Sequence, residues 1–461
     1  MRYVSTRGTA PEVDFEGALL TGLAPDGGLY VPVSWPKLPE LRTGAPYAEV
    51  AAAVVAPFVE GVFSPDETLD LAADVYGRFR HDAVAPLSPL GEGELLLELF
   101  WGPTLSFKDY ALQLVGRLLD EVLQRRGERV TVIGATSGDT GSAAIDALRD
   151  LDSIEVVMLH PEGRVSDVQR RQMTTVASPN IHNLAVRGTF DDCQDLVKAI
   201  FIDPALNAEV RPAAVNSINW ARIMAQTAYY VWSAHQLDAL DGAITFAVPT
   251  GNFGNVYSAY AARNMGVPIE QLIVGNNANH GLADFLTSGS LPIGRVVPTL
   301  APAMDIQVPS NLERLLFDVF ERRGAVLASL MTDYRAAGSL DVMPVQMTGV
   351  RALFSSGFAD DEAILDVIRD VYGESGVLVD PHTATGIAAG RAGRSDRDHP
   401  IVFVATAHPA KFPEAIEQVL HIEPALPDDL ADLMEREERY EVVDADLDEV
   451  ARLVREVAGR E

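Results

Sequence analysis

From Leu95 onward the chain alternates short apolar runs with amphipathic stretches, and this alternation limits the fold more than any other feature. The runs RVTVIGA (129–135), IEVVMLH (154–160), IHNLAVRG (181–188), AITFAVP (243–249), QLIVGNN (271–277) and HPIVFVAT (399–406) have the length and β-branched content of buried strands. Between them SAAIDALRDL, VSDVQRRQM, DCQDLVKAIF and VYSAYAARNMG have helical patterning or a helix-length polar run. Strands alternating with helices predict an α/β fold with mostly parallel sheets. The first ninety residues lack this rhythm. They carry helical patterns at Phe15–Leu20, Tyr47–Val59 and Thr68–Arg78, a turn at Pro25–Gly28 and an irregular WPKLP, and read as a separate cap. The charged tail, Asp428–Glu461, predicts two amphipathic helices around the strand-like YEVV.

Within this frame Lys108 needs explaining. The strand-type run Leu95–Phe100 breaks at Gly102-Pro103, and past Lys108-Asp109 the apolar residues Ala111, Leu112, Leu114, Val115, Leu118, Leu119, Val122 and Leu123 recur with helical spacing. Lys108 therefore stands where a loop enters a helix, flanked by Phe107 and Tyr110. The chain has only four lysines, Lys37, Lys108, Lys198 and Lys411, and its other cationic side chains are arginine. A desolvated lysine can lose its proton and form an imine, which arginine cannot. Any Schiff-base chemistry is thus confined to four positions. Taken alone, a buried ion pair is the commoner use of such a lysine. Lys37 reads as a surface-loop residue and Lys198 as a snorkelling helix residue.

Two loops share one form, in which a strand passes through a turn of small residues into a helix: TSGDTGSAA at 136–144 and PTGNFGNVY at 249–257. Such turns aim backbone N–H groups at one point and add the positive end of a helix dipole, which suits an anion. Neither is a Walker loop or a dinucleotide fingerprint. A third patch, VNSINWARIMAQTAYY (215–230), offers Asn216, Ser217 and Arg222 around a helix expected to start near Asn219, with an ordinary Asn cap as the plainer alternative.

Composition narrows the partners. A net charge of −30 argues against nucleic acid and anionic membranes. The single cysteine, Cys193, gives neither a disulfide framework nor a metal-ligand pattern, and the nine histidines contain no HxH or HxxxH pair, so no metal is expected. His382 and His408 read as loop hydrogen-bonding residues. MRYVSTRG has no apolar core of a signal peptide and no apolar run reaches a membrane-spanning length, so the chain reads as cytoplasmic.

In order, PDGGLYVP, ELFWGPTLSFKD, TSGDTGSAA, NSINWARI, PTGNFGN, TLAPAMDI with PSNLERLL, DPHTATG and ATAHPAKF run across nearly the whole chain, and this set resembles the threonine synthase family of the longer microbial and fungal type. The resemblance implies a fold type II pyridoxal 5'-phosphate enzyme, similar to tryptophan synthase β, with two α/β domains and an N-terminal cap. It implies domains at 1–90, at 91–119 with 235–461 (large, cofactor-binding), and at 120–234 (small, mobile). Lys108 would link covalently to the cofactor and act as catalytic base. Gly251, Asn252, Phe253, Gly254 and Asn255 would hold the cofactor phosphate, and Thr406 the ring nitrogen. Asp139, which stands where the wider family usually has Asn, would lie near the cofactor. Thr136, Ser137, Gly138 and Thr140 would surround the substrate carboxylate. Asn216, Ser217 and Arg222 would receive the phosphate of O-phospho-L-homoserine. The implied reaction adds water to give L-threonine and phosphate. A phospho-lyase releasing 2-oxobutyrate and a non-catalytic cofactor-binding protein are the alternatives, and the chain is expected to be a monomer or weak homodimer.

Overall fold

The computed structural model describes residues 1–237 and 242–459. The chain divides into two compact units, the first comprising residues 1–19, 23–107 and 217–424, the second residues 20–22, 108–216 and 425–461. Residues 238–241 and 460–461 of the expected domain ranges lie outside the described residues.

The first unit is built on a six-stranded sheet in the order Phe354–Phe358, Ile269–Asn276, Ile244–Pro249, Ile401–Ala405, Glu94–Glu98, Leu87–Gly91. All neighbours are parallel except the last pair, an antiparallel hairpin. Ile244–Pro249 and Ile401–Ala405 are buried at every residue, which is why their sequences read as unbroken apolar runs rather than alternating ones. Helix Pro381–Gly393 packs on this sheet. Helix Trp220–Gln236, expected in the small domain, belongs to this first unit. Its residues from Trp220 to Ala234 are all buried, and it packs on helices Tyr47–Val59 and Gly254–Met265. The first ninety residues, apart from 20–22, also join this unit. Trp220 sits among Tyr3, Trp35 and Phe58, and Glu313 accepts from Thr6 Oγ1 and from Arg7 Nε.

The second unit carries a wholly parallel five-stranded sheet in the order Glu441–Asp444, Ile181–Arg187, Ile154–Pro161, Val130–Ala135, Pro212–Ala213. Helices Lys108–Arg126 and Asp139–Leu148 pack against each other within it. The tail and residues 108–119, both expected in the large domain, join this unit instead. Strand Glu441–Asp444 pairs with Ile181–Arg187, and helix Leu447–Ala458 places Val450, Val454 and Val457 on a core that contains Val157, Leu184, Cys193 and Ile200. Only one of the two expected tail helices forms. The segment before the strand starts as a 3-10 turn, Asp428–Leu430, and stays irregular. Arg171 Nη1 donates to the carbonyls of Leu433 and Arg436 in this segment.

Candidate active site

In the second unit, Lys108 is the first residue of its helix, with a side chain 11% exposed, and its Nζ donates to Asp139 Oδ2 at 3.1 Å. Asp139 is the first residue of helix Asp139–Leu148 and is buried. Its other oxygen, Oδ1, accepts from Gln169 Nε2 at 2.7 Å. The turn beneath it is shaped by Thr136, whose Oγ1 accepts the N–H of Gly138 (3.0 Å) and of Gly141 (2.9 Å). Thr136 thereby satisfies donors that Asp139 would otherwise cap, and the carboxylate is left to face the amine. Thr136, Gly138 and Asp139 are buried, Thr140 is half-buried, and Ser137 is exposed. Of the residues predicted around the first anion loop, Asp139 meets Lys108 directly.

The other predicted residues, apart from Asn216, lie in the first unit. The loop after strand Ile244–Pro249 enters helix Gly254–Met265 through Phe253, which adopts a left-handed φ of 65°. A Cβ at Gly251 would lie 3.0 Å from Ile306 Cδ1 and 3.1 Å from the Ala303 carbonyl, so a larger residue would have to push these neighbours back. The N–H groups of Asn252, Phe253, Gly254 and Asn255 donate to no acceptor among the described residues. Asn255 is oriented by two phenols, Tyr229 and Tyr230, whose hydroxyls donate to Oδ1 at 2.5 and 2.7 Å, while its buried Nδ2 makes no hydrogen bond. A cradle of N–H donors without acceptors, plus an orphaned buried amide, is the donor set a phosphate requires.

The third patch converges on this loop. Asn219 caps helix Trp220–Gln236 through Ala221 N–H, as the plainer reading held, and Arg222 follows in the first turn. Asn311 ties the two together, donating its backbone N–H to Asn252 O (3.0 Å) and its Nδ2 to Ser217 O (3.1 Å). Arg222 is buried, which pushes its guanidinium down to about 10. Ser217 is half-buried, and Asn216, at the end of the second unit's segment, is exposed.

Thr406 follows strand Ile401–Ala405. Its carbonyl accepts the N–H of Phe107, the residue before Lys108, at 2.9 Å, and its own N–H donates to Thr383 Oγ1 at 3.2 Å. Behind it stands a chain that sequence reasoning missed. Asp380 accepts from the Thr383 hydroxyl and from His382 Nδ1 (2.7 Å), and His382 Nε2 accepts from Ala303 N–H (3.1 Å), which fixes the imidazole as the Nδ1-protonated tautomer. Lys411, also missed, is fully buried and donates to the Thr104 carbonyl at 2.7 Å, bracing the loop that leads to Lys108. Lys37 is exposed, and Lys198 pairs with Asp195 on the surface.

Comparison with known proteins follows the same order of segments. Family models described as "Threonine synthase N terminus", "Pyridoxal-phosphate dependent enzyme" and "Threonine synthase, C-terminal" match residues 2–76, 89–340 and 383–454. The chain is 51% identical to a threonine synthase of Pseudomonas aeruginosa, over 100% of this chain and 99% of that protein. It is 40% identical to that of Saccharomyces cerevisiae, over 91% of this chain and 89% of that protein. Among solved structures, the PLP-bound threonine synthase from Brucella melitensis superposes with a TM-score of 0.96 at 44% identity, covering 100% of both chains. Yeast threonine synthase gives 0.93 at 36% identity, covering 99% of this chain and 98% of that one. No helix among the described residues is long and apolar enough to cross a membrane.

The supports around this region respond to pH. His408 caps the turn Pro409–Lys411 by accepting Ala410 N–H at Nδ1 (3.2 Å), a role open only to the neutral ring. Burial, reinforced by the positive charges of Arg80 and Lys411, pushes its pKa from 6.5 down to about 4. The unfolded chain therefore binds the proton first, so this contribution is complete above about pH 6.5 and is lost as pH falls toward 4, for up to about 3 kcal/mol. Urea titrations of wild type and His408→Gln across that window measure it: the wild type loses stability more steeply, and parallel curves would remove His408 from the account.

Proposed function

We propose, for a chain that belongs to the threonine synthase family and is a pyridoxal-phosphate-dependent lyase, the conversion of O-phospho-L-homoserine and water to L-threonine and inorganic phosphate. The observation that carries this reading is Lys108, an amine sequestered at a helix start with one carboxylate beside it. The residues present fit the cofactor: the N–H groups of Asn252–Asn255 and the orphaned Asn255 Nδ2 suit its phosphate. Gly251 admits the close backbone approach, and the Thr406 hydroxyl would take the ring nitrogen. When bound, pyridoxal phosphate supplies the electron sink that acidifies the substrate's Cα proton.

The chain's own residues do the rest. Lys108 would hold the cofactor through its Nζ, and once the substrate amine has taken that place the same Nζ would take the Cα proton. The same amine moves the further protons that the reaction requires: one leaves Cβ as phosphate leaves Cγ, one arrives at Cγ, and one returns to Cα after water adds at Cβ. Asp139 holds the positive charge that Nζ carries between transfers. Thr136, Ser137, Gly138 and Thr140 form the substrate-carboxylate site, Ser137 and Thr140 offering N–H and hydroxyl groups while Thr136 and Gly138 shape the turn. Asn216, Ser217 and Arg222 bind the phosphate that will leave, and burial of Arg222 strengthens its pull on a dianion by keeping water away. The chain works in the cytoplasm as a monomer or weak homodimer.

The test is a product assay on O-phospho-L-homoserine with cofactor added. Threonine and phosphate in equal amounts support the reading; 2-oxobutyrate as the main product would replace it with the phospho-lyase. Arg222 gives a second, separable outcome. Arg222→Gln is expected to raise KM for phosphohomoserine by on the order of a hundredfold, the loss of one charge-assisted contact to phosphate, while the spectrum of the bound cofactor stays that of the wild type. Loss of cofactor from this variant would move Arg222 out of the substrate's phosphate site.

A further inference from the structure

The polar helix Asp167–Thr174 contributes one side chain to the neighbourhood of Lys108. Gln169 is 5% exposed and its Nε2 donates to Asp139 Oδ1 at 2.7 Å, while Lys108 occupies the other oxygen. The carboxamide has only one satisfied orientation. A carboxylate can only accept, so the nitrogen must face Asp139, and Oε1 takes the Ser166 hydroxyl at 2.9 Å. Ser166 is also the helix cap, accepting Gln169 N–H. Gly138 completes the enclosure. With φ at 143° it passes directly under the amide, and a Cβ there would stand 2.4 Å from Gln169 Oε1. The amide is thus held by the cap at one end and by a bare backbone below.

The helix itself is fixed from outside. Arg170 donates from Nε and Nη2 to the two oxygens of Glu438, each at 3.0 Å, and Arg171 Nη2 lies 3.2 Å from the same carboxylate. Thr174 Oγ1 donates to it as well, at 2.8 Å. One carboxylate of the C-terminal segment therefore grips three residues that follow Gln169 on its helix. All these residues belong to the second unit.

We propose that Gln169 is a positioning residue of the reaction, acting through Asp139 to keep its carboxylate turned toward the Lys108 nitrogen. The proposal rests on the reading of Lys108 as the reactive amine. Without the amide, Asp139 Oδ1 loses the Gln169 donor and the carboxylate is held less firmly toward the amine, whose counter-charge is then less fixed.

The experiment compares Gln169→Met, of similar length but without a donor, with Ser166→Ala, which keeps the amide and releases only its far end. Both are loaded with pyridoxal phosphate and read by three measurements: visible spectrum of the bound cofactor, kcat and KM for phosphohomoserine, and melting temperature. Gln169→Met is expected to change the visible spectrum and to lower kcat by on the order of tenfold, with KM within about twofold, as misplacement of a reacting group does. Ser166→Ala changes the spectrum in the same direction by less. A wild-type spectrum in both variants overturns the proposal, including the case in which melting temperature and kcat fall together, since that is a structural loss only. If Gln169→Met fails to fold, Ser166→Ala decides by the same spectral criterion. If wild type makes no threonine, the proposed reaction fails, while the spectra still judge Gln169.

Discussion

The buried contact between Lys108 and Asp139 is the interaction on which the functional architecture depends. An ammonium and a carboxylate that both leave water must compensate each other, and removing one partner of such a pair typically costs about 3–5 kcal/mol. In a purely structural setting hydrophobic residues would do as well at that position. A buried amine held at a helix start, with the Asp139 carboxylate turned toward it, is instead suited to chemistry that needs the amine in both protonation states. The pair also explains why the turn at 136–141 is built as it is. Thr136 satisfies the turn's N–H groups so that Asp139 need not.

Each unit contributes a preorganised part made from local rules. In the first, the fully buried strands Ile244–Pro249 and Ile401–Ala405 end in the glycine-rich loop and in Thr406, so both emerge from a rigid sheet. Tyr229, Tyr230 and Asn311 then orient the loop's side chains and backbone. In the second, the parallel sheet delivers the turn after Val130–Ala135, and the C-terminal segment pins the helix that carries Gln169. The tail reads as surface in composition, yet it supplies an edge strand and a helix to that unit's core.

What could be read in the sequence follows from the range of the signal. Lys108 stood out because lysine is scarce and because a turn and a helical period meet at it. The loops at 136–144 and 249–257 announced themselves through local spacing, as did the helix starting at Trp220. Gln169 did not, since VSDVQRRQM has the composition of a solvated helix and its functional partner lies thirty residues earlier. Burial of Lys411 and the Asp380–His382–Thr383 chain were equally hidden, because they depend on contacts between distant segments. The tail's missing helix was hidden in the same way: a charged, periodic stretch favours helix locally, and its contacts with Arg171 come from a distant segment.

The central claim is that Lys108, among the two buried lysines, is the amine that carries the cofactor. Borohydride reduction of the enzyme loaded with pyridoxal phosphate would fix the linkage, and mass mapping of the digested chain would locate it. The account predicts the pyridoxyl mass on the peptide containing Lys108 and none on the one containing Lys411. The reverse pattern, or no modified lysine at all, would contradict it.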